Sequence, residues 1–432
     1  MSRVSFKHNG AAMDDLLRDA RGIITGEELC DRCLGRCFAK RGTRLTNPER
    51  GRALRVALAM IDDHAPISPE ECPLCRGMFR SVDAWADRAA KAVRDVEFDT
   101  YLFGTHVPTA VARAEDDLWR RCGLTRGQAE PVKQEFNREV GRAFERKLTE
   151  NERNVTVDFN EPQVVCFVDF PNEQLQLTIH SLFVYGRYRK LVRGIPQTRW
   201  PCKRCRGRGC RHCDHTGKQY PESVEELIAR PMVKAAHGEG HALHGAGRED
   251  IDARMLGDGR PFVLEINAPK VRRLDLEKLQ TEINAQAAEK IEVQGLTNAT
   301  RHTVCEVKEL EARKRYRAWV AFSDVVSADD LQRAVESLSG ADISQRTPTR
   351  VSHRRADLVR RRRVHELSAE LTDEREAIVE LLGDGGLYVK EFISGDDGRS
   401  TPSLTEELGV EARVTALDVL EVEAQVSVEV AR

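Results

Sequence analysis

The 432-residue sequence lacks any apolar run that approaches the ~20 residues of a membrane span. Residues 1–8 are too polar for a signal peptide, so we expect a cytoplasmic protein. The sequence also lacks the Gly-rich GxGxxG pattern and the phosphate-loop patterns GxxxxGKS and GxxxxGKT. These absences argue against membrane proteins, exported proteins and enzymes that use such cofactor or phosphate loops.

The net charge is small as well, at −2, so the total charge does not by itself predict nucleic-acid binding. A charged fraction of 32% and a mean hydropathy of −0.50 indicate a soluble chain. Its length allows two or three domains. The positive charge is clustered and mainly arginine, whose planar guanidinium suits phosphate and base recognition.

Twelve cysteines are present, and without an export signal they favour metal binding over disulfide bonds. The pairs Cys30/Cys33 and Cys72/Cys75 each have CxxC spacing and could together supply the four thiolates of a structural zinc site. Two alternatives stay open at this stage. Cys37 could belong to the site instead, or these residues could be ordinary buried thiols.

A second cluster has the spacing CxxC-x4-CxxC. Its members are Cys202, Cys205, Cys210 and Cys213. Glycines in its centre would allow a compact turn. Four thiolates fill a tetrahedral site and leave no open position for water, so this pattern also predicts structural zinc.

Residues 247–254 pack two basic and three acidic side chains into eight positions. The apolar run at 261–266 predicts a strand, so we expect the charged segment to be a loop at a strand end, where scaffolds place catalytic groups. An aspartate flanked by arginines can stay ionised there even when partly desolvated. The alternative is a solvated, salt-bridged loop.

Two other segments are strongly basic. Residues 185–190 interleave aromatic and basic side chains, which suits RNA contact, although a strand end with inward-facing tyrosines fits equally. Between Arg346 and Arg363, Pro348 predicts an extended start, and the arginines would bind phosphates unless they form a solvated face.

Three stretches of the sequence carry a family resemblance. GREDIDARMLGDGRPFVLEI resembles the active-site stretch of the Pus-ten family of tRNA pseudouridine synthases, found in archaea and eukaryotes. RTPTRVSHRRADLVRRRRV is similar to the family's RTPxRVxHRR motif, and GLYVKEFI to its GTYIKEF motif. The resemblance runs from the first CxxC to about Val422. Leu387 and Ala253 depart from the usual residues, but neither departure puts the activity in doubt.

The resemblance implies roles for individual residues. Asp250 would be the catalytic residue, and Tyr316, on a predicted strand, would stack on the target base. Lys390 would pair with the catalytic aspartate; alternation over residues 386–393 predicts a strand on which Tyr388 and Lys390 share a face. Leu417 would be an active-site apolar residue, although a core role fits nearly as well. The remaining expected substrate-binding residues are Arg248, Arg254, His353, Arg354 and Arg355.

The resemblance also implies an α+β fold with an N-terminal zinc-binding and THUMP-containing region. We expect a zinc-binding helical module over 1–85, a THUMP-like RNA-binding region over 86–198, and a catalytic domain over 199–432 on a mixed, mainly antiparallel sheet. The implied partner is tRNA, held at its T arm and elbow by a monomer. The implied reaction is isomerisation of uridines 54 and 55 in the T loop, with one or two structural zinc ions and no organic cofactor.

Two functions of other classes compete with this interpretation. A non-catalytic, zinc-containing THUMP protein or tRNA chaperone would keep the cysteines and arginines but has no reason to retain Asp250, Tyr316 and Lys390 together. A THUMP-bearing methyltransferase or thiolase would need a cofactor or phosphate loop, which the sequence lacks.

Overall fold

The computed structural model describes residues 10–26 and 28–423. The chain forms two compact units, Met1–His180 and Ser181–Arg432. The strand Leu182–Lys190 belongs to the second unit, because it pairs on both sides with strands of that unit. The domain bounds expected from the sequence, with a boundary at 198/199, stay a prediction.

The first unit combines helices with a small sheet. Its helices are α1 (Gly10–Gly26), α2 (Asp31–Cys37), α3 (Asn47–Ile61), α4 (Val82–Ala92), α5 (Thr109–Cys122) and α6 (Val132–Thr149), and its strands are β1 (Thr100–His106), β2 (Thr156–Val157), β3 (Val164–Asp169) and β4 (Gln174–Ile179). The strand order is β2-β1-β3-β4. Phe136 and Phe144 of α6 are fully buried in the core that this helix forms with the sheet.

The start of α3 follows from its sequence. The Thr46 side chain accepts a hydrogen bond from the backbone N–H of Glu49, and the Glu49 side chain accepts one from Thr46 in return. Pro48 lies in the first turn, where its missing N–H costs nothing.

The second unit is built on a ten-stranded sheet. Its strands are β5 (Leu182–Lys190), β6 (Gly240–Gly245), β7 (Ala253–Asn267), β8 (Ile291–Ala299), β9 (Lys314–Phe322), β10 (Asp342–Arg346), β11 (Val359–Asp373), β12 (Glu376–Gly383), β13 (Ser400–Thr401) and β14 (Ala412–Val422), and its helices are α7 (Val224–Ala236), α8 (Leu276–Gln286), α9 (Arg301–Glu309), α10 (Ala328–Leu338), α11 (Val389–Ser394) and α12 (Leu404–Leu408). The order is β13-β10-β11-β12-β9-β14-β7-β5-β8, with β6 paired to β7. Only β14 and β7 pair in parallel among the described strands of this unit. The α+β fold with a mixed, mainly antiparallel sheet is confirmed.

Alternating burial along β9 confirms the predicted strand at Tyr316. The strand predicted over 386–393 is wrong, because Val389–Ser394 forms the short helix α11. Gly386, at φ +85°, turns the chain just before it. Pro348 does begin in an extended conformation, and a 3-10 helix, Thr349–Arg354, follows it. In the described part of the chain, no helix is both long and apolar enough to cross a bilayer.

Candidate active site

Residues 247–252 form the loop between β6 and β7, at a strand end as expected. Lys190 fixes its backbone, because Nζ donates to the carbonyl oxygens of Asp250 at 3.0 Å and Ile251 at 3.2 Å. Gln197 Nε2 donates to the carbonyl oxygen of Gly247 at 3.0 Å. Both ends of the loop are therefore tied to buried side chains.

Glu249 is the buried anchor of this loop, with 6% of its surface exposed. Its carboxylate accepts hydrogen bonds from the Tyr188 hydroxyl at 2.8 Å and from Arg260 Nε at 2.9 Å. Lys190 Nζ lies 3.9 Å away. A buried charge persists only when it is paired and hydrogen-bonded, which accounts for a fully buried arginine within β7. Sequence reasoning missed this cluster; its one visible signal was Arg260, directly before an apolar run.

The RNA-contact interpretation of residues 185–190 is wrong for two of its members. Tyr188 and Lys190 occupy the inward positions of β5, and both are 0% exposed. Burial raises the pKa of the Tyr188 hydroxyl well above its ordinary value, and the Glu249 charge adds to that rise. Tyr188 and Lys190 therefore hold the loop 247–252 in place through the hydrogen bonds described above.

Asp250 lies between two cations. Its carboxylate is 33% exposed; Oδ1 accepts from Arg350 Nη1 at 3.1 Å, and Oδ2 lies 3.4 Å from Lys390 Nζ. A cavity of about 190 Å³ adjoins it, with Arg248 and Trp200 in its lining. The lining of this small cavity contains three basic residues, Arg248, Arg350 and Lys390, and three acidic residues of the loop, Glu249, Asp250 and Asp252.

Lys390 contacts Asp252 more closely than it contacts Asp250. Its Nζ donates to the two carboxylate oxygens of Asp252 at 2.7 and 2.9 Å. Burial acts to raise the pKa of Asp252, but the hydrogen bond and the charge of Lys390 outweigh it and lower that pKa overall. The expected pairing of Lys390 with Asp250 is therefore shared with a second aspartate.

Arg350 is a site residue that sequence reasoning did not single out. Its Nε donates to Glu391 Oε1 at 2.6 Å, while its Nη1 reaches Asp250. Burial lowers the pKa of Arg350, but the two carboxylates, Glu391 first, raise it overall. The only available signal was its position two residues after Pro348 in the quoted motif.

The side chain of Gln345 holds the backbone at the start of α11. Gln345 Nε2 donates to the carbonyl oxygen of Tyr388 at 3.0 Å, and Gln345 Oε1 accepts from the backbone N–H of Tyr388 at 2.9 Å. Arg355 Nη1 donates to the Tyr388 hydroxyl at 3.0 Å. This clamp sets the position of Lys390 two residues later.

Tyr316 and Leu417, both expected at the site, are largely buried. Tyr316 is 8% exposed; burial raises its pKa to about 12, with the Arg260 cation opposing and the Asp250 charge adding to the shift. Leu417 is 7% exposed in β14, opposite Ala318 on one side and Ala253 on the other. Both are packed into the core of the second unit.

Arg254 is not among the cations at Asp250. Its Nη2 lies 2.5 Å from Asp418 Oδ2, and Asp418 also accepts from Arg193 Nη2 at 2.6 Å. The side chains of His353 and Arg354 lie outside the described part of the chain.

Both cysteine tetrads are assembled. The sulfur atoms of Cys30, Cys33, Cys72 and Cys75 lie within 4.8 Å of one another, as do those of Cys202, Cys205, Cys210 and Cys213. The Cys30–Cys75 and Cys205–Cys213 sulfurs are 3.9 and 3.8 Å apart. A tetrahedral zinc with Zn–S bonds of ~2.3 Å requires sulfurs about 3.8 Å apart, so both donor sets fit this ion. Cys37 lies outside the tetrad, and its thiol donates to the carbonyl oxygen of Cys33.

Known proteins resemble both units. The family model "Pus10, C-terminal" matches residues 183–423, and "Pus10 THUMP domain, archaeal" matches residues 85–169. The tRNA pseudouridine synthase Pus10 of Halorubrum lacusprofundi is 50% identical, covering 96% of this chain and 97% of the relative. That of Methanopyrus kandleri is 44% identical, covering 95% and 98%. A solved Cbf5-Nop10-Gar1 complex overlaps 46% of this chain and 45% of that chain at 17% identity, with a TM-score of only 0.29. The family models and the near-full-length relatives confirm the resemblance of the motifs, and the chain belongs to the Pus10 family of tRNA pseudouridine synthases.

Proposed function

We propose that this chain isomerises uridine to pseudouridine at positions 54 and 55 of the tRNA T loop, with Asp250 as the catalytic residue. The observation that carries the proposal is the carboxylate of Asp250, one-third exposed beside a cavity and contacted by both Arg350 and Lys390. Opposite charges on two sides stabilise the ionised carboxylate, which the chemistry requires.

The reaction rearranges one nucleoside without any redox step. The bond from C1′ of the ribose to N1 of the uracil breaks, the base turns, and C1′ bonds to C5; C5 then loses its proton and N1 gains one. Asp250 can attack C1′ as a nucleophile or remove the C2′ proton to form a glycal. Both routes use the same carboxylate.

The target uridine must leave its stack, which costs a few kcal/mol. We assign the ring of Tyr316 as the face against which the base lies, a contact that would return ~1–3 kcal/mol. Leu417 would pack on the sugar side. Because Tyr316 is only 8% exposed, entry of the base must displace neighbouring side chains.

Arginines around the cavity would hold the RNA strand. Arg248 lines the cavity, and Arg355 lies at the start of α11. His353 and Arg354 directly precede Arg355 in the same segment and would contact the same strand. We also propose Arg254 as an RNA contact, with its guanidinium oriented by Asp418. Together with the THUMP match, they support contact with the T arm and elbow of tRNA. We further propose a cytoplasmic, monomeric enzyme that holds zinc in both tetrads.

The decisive experiment is incubation with an unmodified tRNA transcript, followed by pseudouridine mapping. Asp250→Asn keeps the shape of the side chain but removes its charge, so product should disappear while tRNA affinity stays within about threefold, since the carboxylate acts in chemistry rather than docking. Asp258→Asn, an exposed position in β7, is the matched control and should be fully active. Turnover by Asp250→Asn would refute the assignment.

A further inference from the structure

Residues 200–220, which hold the second cysteine tetrad, form a compact knuckle at the rim of the active-site cavity. Its two ends meet: Trp200 packs edge-on against Tyr220 with ring centroids 5.6 Å apart, and the backbone N–H of Gln219 donates to the carbonyl oxygen of Trp200 at 2.9 Å. Trp200 also lines the cavity beside Asp250. The knuckle therefore starts where the catalytic cavity opens.

Two glycines of the knuckle lie where the neighbouring backbone leaves no room for a side chain. Gly217 has φ +70°, and a Cβ there would lie 2.3 Å from the carbonyl oxygen of Gly207. A Cβ on Gly209, at φ +88°, would lie 2.7 Å from the carbonyl oxygen of His215. With the tetrad at its centre, the knuckle presents its surface side chains from a fixed frame, so little conformational entropy of the backbone is lost when they bind a ligand.

The surface of this frame is basic. The exposed basic side chains are those of Lys203, Arg204, Arg206, Arg208 and Arg211. Asp214 is the one acidic residue among positions 200–220. Across the described ranges 10–26 and 28–423, none of the five takes part in an ion pair, although Lys218 at the base of the knuckle pairs with Glu226.

Two arginines of the segment 346–363 are in a different situation. Arg346 pairs with Asp357, and Arg350 is held by Glu391 and Asp250, so both charges are neutralised within the protein. The knuckle carries five exposed basic side chains without such partners, and charge of this kind attracts polyanions over a Debye length of about 8–10 Å.

We propose that the knuckle is a phosphate-binding clamp that holds the sugar-phosphate backbone of the RNA strand next to the target uridine. This inference rests on the proposed function, since it takes the substrate to be RNA. The knuckle acts in binding alone: it positions the strand so that one nucleotide can enter the cavity, and it takes no part in the chemical step.

The test compares two double variants that each remove two exposed arginines from the second unit. The knuckle variant is Arg204→Ala/Arg206→Ala, and the matched control is Arg230→Ala/Arg413→Ala on α7 and β14. Affinity for an unmodified tRNA transcript is measured against salt concentration with the zinc-loaded full chain. At ~0.7–0.9 per lost phosphate contact, the knuckle variant should flatten the log–log salt slope by about 1.4–1.8. Its KM should rise about tenfold while kcat stays within about twofold.

Arg204→Lys/Arg206→Lys keeps the charge and should restore most of the affinity and the salt slope, and zinc content must equal that of the wild type in all variants. A knuckle variant whose slope and KM match those of the control overturns the clamp. A rise in KM that the lysine variant fails to rescue also overturns it, because the effect is then on the fold. Failure of the wild type to form pseudouridine would instead refute the proposed function, and the salt slopes remain readable in that case.

Discussion

Asp250 and Asp252 lie two residues apart in one loop, but they differ in exposure and in the cations that they contact. Asp250 is 33% exposed and contacts both Arg350 and Lys390. Asp252 is 66% exposed and binds Lys390 through both of its oxygens. We interpret Asp252 as the residue that holds Lys390 in place beside the catalytic carboxylate.

Removing the Lys390 charge should therefore affect both aspartates. We expect Lys390→Met to lower kcat by roughly 10- to 100-fold, equivalent to ~1.4–2.7 kcal/mol of barrier. The pKa of Asp252 should rise, because the hydrogen bond and charge that depress it are gone. Lys390→Arg keeps the charge and should lose much less activity. Single-turnover rates and carboxyl NMR titration measure the two effects; equal losses in both variants would show that the shape of Lys390 matters and its charge does not.

Lys314 is a buried amine whose positive charge lowers the free energy of unfolding. It is 8% exposed on the same face of β9 as Tyr316, and burial, with the Arg260 cation adding to it, lowers its pKa to about 8. Between pH 8 and its ordinary value of 10.5 the unfolded chain holds the proton and the folded chain does not. Because of this residue, the free energy of unfolding should increase as pH rises through that window.

Lys314→Met should remove that dependence. At pH 7 the variant should be more stable than the wild type by up to ~3 kcal/mol, because it no longer buries a protonated amine. The difference should shrink as pH rises from 8 towards 10. Urea unfolding at several pH values measures it, and a constant difference across the window would mean that Lys314 does not titrate there.

Among the elements, β9 and α11 show what the sequence could and could not predict. The alternating end of residues 313–320 predicted a strand correctly, because a two-sided sheet imposes that pattern. A similar alternation over 386–393 predicted a strand wrongly. There the backbone of Tyr388 bonds to the side chain of Gln345, 43 residues away in sequence, and the chain continues as a helix. A local pattern carries no information on such a partner.

The same limit applies to the site. The motifs brought Asp250, Tyr316 and Lys390 into one hypothesis, and the structure places them near one another. The bonds from Glu249 to Tyr188 and Arg260, and from Arg350 to Asp250, stayed hidden because they join residues up to 100 positions apart. Sequence spacing reveals neighbours within one helix or strand but not between elements.

Each of the two cysteine tetrads has the geometry of a closed metal site, and we propose that its folding depends on a bound zinc ion. Metal analysis should find about two zinc ions per chain, and Cys205→Ser should retain one. Chelation should unfold the protein before it slows catalysis, because closed thiolate sites contribute folding energy. Elemental analysis with circular dichroism and activity on the same samples decides this. A folded, zinc-free enzyme with reduced kcat would assign the metal to the chemistry instead.

For the whole molecule, a net charge of −2 conceals an uneven distribution. In the first unit, Arg36 is 1% exposed and lies within ion-pair distance of Glu115 and Glu135. Charges of this kind neutralise one another inside the fold and are not presented to a ligand. Affinity for RNA depends on the positive charge left unpaired at the surface, as on the knuckle, so a nearly neutral chain can still bind a polyanion.

The position of β14 determines when the catalytic unit can be completed. This strand lies in the middle of the sheet, between β9 and β7, and it is the last described strand that the ribosome makes. Until residues 412–422 emerge, β7 and β9 each expose an unpaired edge, and Arg254 lacks its partner Asp418. Open edges invite pairing with other chains. A nascent or truncated chain that stops before this strand should therefore aggregate, and we expect the catalytic unit to become competent only after residues 412–422 have been made.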